Sequence, residues 1–113
     1  MKKKKIFDVI IIGAGPIGTT FACSLAKNKL DIAIIDKLSE KKIKNPNVDG
    51  REIALTHQSV KILKDLDLWK CISNKSISLI KEARVLDGDS SYFLNFKHNE
   101  IEKDNLGYLI PNH

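Results

Sequence analysis

Ile6-Phe7-Asp8-Val9-Ile10-Ile11-Ile12 is a nearly continuous β-branched run, the pattern of a parallel strand covered on both faces. Glycines follow at 13, 15 and 18. Pro16 then opens a segment with Ile17, Phe21, Ala22, Leu25 and Ala26 at helical spacing, a start that tolerates proline because the first helical N–H has no intrahelical acceptor. Asp31 to Asp36 predicts a second short strand. Strand, helix and strand in about thirty residues make a βαβ unit.

Further along, residues 37–50 are polar and hold Pro46 and Asp49-Gly50, so they predict a loop. Arg51 to Leu55 leads into a second helix that Thr56 can cap, with Ser59, Ile62, Leu63, Leu66 and Trp69 on one face. Asp87-Gly88 lies between Ala83–Leu86 and Tyr92–Phe96, the signature of an antiparallel hairpin. A charged loop at 97–105 and a last strand at 106–110 complete the inventory. Two parallel strands fall short of the five or six of a doubly wound nucleotide fold. The expectation is therefore α/β: an incomplete Rossmann-like FAD/NAD(P)-binding fold that opens with the βαβ unit, with residues 1–72 its N-terminal part. Residues 73–113 would begin the antiparallel sheet of a substrate domain. Such a chain is either an N-terminal fragment or a reduced fold relying on a partner.

Charge changes this picture little. The 113 residues carry a formal charge of +5, yet four of the cations form the tail Lys2–Lys5, and only Arg51 and Arg84 are arginines. Nucleic-acid grooves use interleaved arginines and aromatics, so none is expected here. No apolar run approaches the ~20 residues of a membrane span. Asp8 spoils an export signal, and Cys23 and Cys71 form no metal or redox motif. A cytoplasmic protein that retains its N-terminus follows.

Gly13-Ala14-Gly15-Pro16-Ile17-Gly18 is G-x-G-x-x-G between the first strand and its helix. Gly13 turns the chain, Gly15 lets a pyrophosphate reach the helix N-terminus, and Gly18 lets helix and strand pack closely. Asp36, 23 positions after Gly13, ends the second strand where a carboxylate can accept from adenosine ribose hydroxyls. That acid disfavours a 2′-phosphate and points to FAD or NAD.

GAGPIG behind Phe7-Asp8-Val9 resembles the opening of FAD-dependent oxidoreductases. The stretch Asp49-Gly50-Arg51-Glu52-Ile53-Ala54-Leu55-Thr56, then Ser59, Ile62-Leu63 and Leu66-Asp67-Leu68-Trp69, resembles one branch of them, the aromatic-ring monooxygenases of ubiquinone biosynthesis. Ile80, Val85, Asp87, Leu106-Gly107-Tyr108 and Asn112 continue the likeness. The resemblance implies FAD reduced by NAD(P)H and hydroxylation of a small aromatic, prenylated substrate with O2. It also implies a peripheral contact at the inner membrane face, or with other biosynthetic proteins. Gly13, Gly15, Pro16, Ile17, Gly18, Asp36, Lys37 and Arg51 are the implied cofactor-binding positions; no catalytic acid or base and no metal ligand is implied. Another FAD oxidoreductase of this fold, a prenyl reductase or halogenase, is the alternative, as is a catalytically silent truncated module. Lys29-Leu30 and Asp67 depart from the family, which commonly has glycine at these turns.

His57 is read as a helix N-terminal residue and Trp69 as core. Asp87-Gly88-Asp89 is read as a turn rather than a calcium loop, because His98 stands where the bidentate acid belongs.

Overall fold

The computed structural model describes residues 4–113, so Lys2 and Lys3 of the basic tail lie outside the described residues. The chain divides into two compact units, one running to Val48 and one spanning Asp49–Asn112.

In the first unit, β1 (Val9–Ile12) pairs in parallel with β2 (Ile32–Ile35), Val9 opposite Ile32 and Ile12 opposite Ile35. Helix α1 (Pro16–Leu25) makes the crossover. The expected βαβ unit is present. Its packing differs from expectation in two respects. Side chains alternate across a strand, and α1 lies on the Ile11 side, where Ile11 is buried. Ile10 and Ile12, on the opposite face, are exposed, so β1 is covered on one face among the described residues. Within α1, Gly18, Ala22 and Leu25 are the more sheltered positions, whereas Ile17 and Phe21 are exposed. The small residues Gly18 and Ala22 bring the helix down onto the strand, and Ile17 and Phe21 face away.

Between Leu25 and Ile32 the chain must reverse from helix to strand. Lys29 does this at φ 50°, in the left-handed region. A lysine thus carries a conformation that glycine adopts without a Cβ penalty. Asp67, the other departure from family glycine, sits at φ 63°. Lys29→Gly is expected to raise unfolding stability by about 0.5–1 kcal/mol, read as a higher urea midpoint, because relief of Cβ strain exceeds glycine's extra chain entropy.

The 37–50 stretch is not all loop. Helix α2 (Glu40–Lys44) forms one turn, with Glu40 and Lys44 paired at i,i+4 on its exposed side.

The second unit contains a strand where a helix lead-in was expected. β3 (Glu52–Leu55) pairs antiparallel with β7 (Gly107–Pro111), which also pairs with β4 (Ser78–Ile80), giving the order β3-β7-β4. This sheet joins residues from both sides of position 72. Helix α3 (His57–Asp65) packs beside it, capped by Thr56, whose hydroxyl accepts from the Ser59 N–H at 3.1 Å. The helix stops at Asp65, short of Trp69. Leu66 and the left-handed Asp67 end it, and Trp69–Cys71 is a separate 3-10 turn.

Tyr108 fills the space between helix and turn. The rings of His57 and Trp69 both meet it edge-on, each with centroids 5.7 Å away. Val60 is the buried aliphatic of this unit. The hairpin is as expected: β5 (Glu82–Leu86) and β6 (Phe93–Lys97) pair antiparallel, and Gly88 turns at φ 49°. The charged stretch after it holds a 3-10 turn at His98–Ile101.

Candidate functional site

The first unit brings together the glycine turn, the N-terminus of α1 and the end of β2. Gly13 leaves β1 at φ 104°, a conformation that L side chains rarely adopt, and its N–H donates to the Ile35 carbonyl at 2.7 Å. The turn is therefore tied to β2 by its own backbone.

Gly15 is the N-cap of α1, in extended backbone, with Pro16 at the first helical position. A cap without a side chain leaves the first-turn N–H groups of Ile17 and Gly18 without a side-chain partner, and that turn carries no acid. A Cβ added at Gly15 would meet nothing within 4 Å. The helix N-terminus is thus open, uncapped and at the positive end of the peptide dipoles, the physical requirements for holding a pyrophosphate.

Gly18 is different. A Cβ there would lie 2.0 Å from the Gly13 carbonyl oxygen and 3.3 Å from Cγ2 of Ile11. Its missing side chain is what seats α1 against the turn. Two glycines of one motif therefore differ: Gly15 leaves open space at the helix N-terminus, and Gly18 removes space between elements.

Asp36 stands directly after β2. Its Oδ2 accepts from the Ala14 N–H at 2.7 Å, and its Oδ1 accepts from the Leu38 N–H at 2.7 Å. These N–H groups, Ala14 first, hold the carboxyl below the usual carboxylate range, with the Lys37 charge adding to the effect. The bond to Ala14 went unread in the sequence: Asp36 also staples the glycine turn. A carboxylate offers about four lone-pair sites, so two remain for a ribose diol. Both functions fit one side chain.

Arg51 belongs to the second unit, immediately before β3. Its side chain is 73% exposed and paired with Asp49, whose Oδ2 accepts from Nε at 2.7 Å. Asn112, after β7, donates from Nδ2 to the same oxygen at 3.0 Å. Asp49 and Asn112 had no role assigned from the sequence. The Asp-x-Arg spacing was a usable signal, but Asn112 reaches the pair only through the β3–β7 register, 63 positions away.

A parallel βαβ unit with a glycine turn, an open helix N-terminus and an acid at the second strand defines a dinucleotide-binding module. The FAD binding domain family matches residues 6–99, and the chain belongs to that family. Among curated proteins it is similar to ubiquinone hydroxylase UbiM of Neisseria meningitidis, 41% identical over 110 residues, covering 94% of this chain and 24% of that protein. It is 31% identical over 126 residues to the mitochondrial ubiquinone biosynthesis monooxygenase COQ6 of Dictyostelium discoideum, covering 99% of this chain and 26% of the relative. Ubiquinone hydroxylase UbiL of Rhodospirillum rubrum is 31% identical over 108 residues, covering 96% and 25%. The chain thus spans about a quarter of the length of these relatives. Among the described residues no helix is long and apolar enough to cross a membrane.

Proposed function

We propose that the chain is the FAD-binding N-terminal part of a flavin monooxygenase that hydroxylates the aromatic ring of a ubiquinone precursor, using NAD(P)H and O2. The observation that carries this reading is the pair formed by the open Gly15 N-cap and the Asp36 carboxylate fixed beside it. The names of the similar proteins support the substrate class.

In this reading β1-α1-β2 opens a Rossmann-like fold. Residues 1–72 contribute to the FAD-binding domain and 73–113 begin the substrate sheet, to which β3 lends a strand. Gly13, Gly15, Pro16, Ile17 and Gly18 line the pyrophosphate with backbone, and Asp36 with Lys37 meets the adenosine ribose. Arg51 offers a guanidinium fork to the oxygen-rich stretch between the two ring systems of FAD. FAD, when bound, supplies two-electron chemistry between a nicotinamide donor and O2. The chain's own part is to hold and orient that group. The protein would work in the cytoplasm, meeting its prenylated substrate at the inner membrane face.

Oxygen uptake tests the reaction class. The protein purified from its own cells, given NADH or NADPH and a prenylated phenol, should consume O2 only when the phenol is present. Oxidation of the nicotinamide without O2 uptake would make it a reductase, and no oxidation at all would leave a module without self-sufficient activity.

A further inference from the structure

Arg51 is the one candidate cofactor residue in the second unit, and its surroundings are built. Glu52 pairs with Pro111 at the end of the β3–β7 ladder. One rung beyond, the Asn112 N–H donates to the Arg51 carbonyl at 3.0 Å, so the ladder continues through Arg51. Gly50, at φ 69°, reverses the chain between Asp49 and Arg51. That reversal brings both the backbone and the side chain of Arg51 onto one carboxylate. Asp49 Oδ1 accepts from the Arg51 N–H at 3.0 Å, and Oδ2 accepts from Arg51 Nε, Arg51 Nη2 and Asn112 Nδ2. Four donors converge on one acid.

The consequence for Arg51 is orientational. An arginine with a 73% exposed side chain would ordinarily sample many rotamers, and an exposed ion pair alone stabilises a fold very little. Here the Nε edge is taken up by Asp49, while Asp49 is itself fixed from the far strand by Asn112. The remaining guanidinium donors are left on the edge turned away from Asp49, in a fixed plane. An arginine held in this way forms hydrogen bonds to a ligand with less ordering than a free one.

We propose that Asp49 and Asn112 are positioning residues that lock the Arg51 guanidinium in the orientation from which it donates to the oxygen-rich stretch of FAD. The proposal rests on the cofactor role of Arg51 given above. Tight hydrogen bonding supports it: the Arg51 N–H, then the Arg51 side chain, draw the Asp49 carboxyl down to about 2.

The test is a double-mutant cycle on the protein purified from its own cells, stripped of flavin and titrated with FAD by fluorescence quenching. Arg51→Met should weaken binding about 10- to 100-fold, the range of a charge-assisted contact. Asp49→Asn should weaken it roughly 5- to 10-fold, and the double variant should bind no more weakly than Arg51→Met alone. Asn112→Ala, a milder change, should show a smaller loss that likewise vanishes in the Arg51→Met background.

A second readout needs no flavin. The Asp49 carboxyl, followed by 13C NMR in the flavin-free protein, should titrate near 2 and rise part of the way toward the ordinary carboxylate range in Arg51→Met, where the backbone N–H of residue 51 and Asn112 still donate to it. If Arg51→Met binds weakly while Asp49→Asn and Asn112→Ala bind normally, or if losses simply add, the positioning role is overturned and the role of Arg51 stands. If Arg51→Met binds FAD normally, the cofactor role of Arg51 falls and the positioning proposal falls with it. An intact low titration of Asp49 would then mark the cluster as purely structural.

Discussion

Gly15→Asp is expected to abolish FAD retention while leaving the melting temperature of the flavin-free protein unchanged or slightly higher. Gly15 is the N-cap of α1, its backbone is extended, and a Cβ there meets nothing within 4 Å. Aspartate is among the preferred N-cap residues and suits the positive end of the helix. Its carboxylate would, however, occupy the N–H groups that the pyrophosphate needs and place like charge beside it. Two such charges about 4 Å apart oppose each other by roughly 4 kcal/mol near a protein surface, or about a thousandfold in affinity. Flavin absorbance of the purified variant, read beside its thermal melt, checks both halves. Unchanged flavin content would defeat the placement of the pyrophosphate at this helix.

Gly18→Ala should fail in the opposite manner, losing stability first and cofactor as a consequence. The new Cβ would stand 2.0 Å from the Gly13 carbonyl oxygen, a backbone atom with no rotamer to swing aside. Gly13 is itself held at φ 104° and by its bond to Ile35, so α1 must lift from β1 instead. Overpacking of this kind costs about 1–3 kcal/mol, and the shift carries the helix N-terminus away from Asp36. A urea melt of the flavin-free protein should show the loss directly. The two variants differ by three positions in one motif and separate a ligand-approach glycine from a packing glycine.

The βαβ unit was readable because its signals agree locally: β-branched runs, punctuating glycines and an acid at the strand end. What was not readable depends on partners distant in the chain. Ile10 and Ile12 look like residues of a fully covered strand, since the run of isoleucines is the same whether or not a second layer lies over it. Ile17 and Phe21 have helical spacing, but Gly18 and Ala22 determine which face of α1 approaches the sheet. The β3 residues Glu52-Ile53-Ala54-Leu55 include good helix formers, and their strand state comes from β7, more than fifty positions later. Lys29 and Asp67 were visible only as departures from glycine; the backbone shows that the conformation glycine would favour has been kept. In the site, the turn at Gly13 and the close packing at Gly18 followed from spacing. The bond from Ala14 to Asp36 and the Asp49–Arg51–Asn112 cluster needed the three-dimensional register.

Everything proposed for this chain depends on FAD binding at the glycine turn, the open α1 N-terminus and Asp36. A native mass spectrum of the protein taken from its own cells reads this binding, because one spectrum reports the polypeptide mass and any bound group. The expected spectrum shows a polypeptide carrying one FAD, released when the protein is denatured. A polypeptide without flavin that also fails to take up added FAD would contradict it.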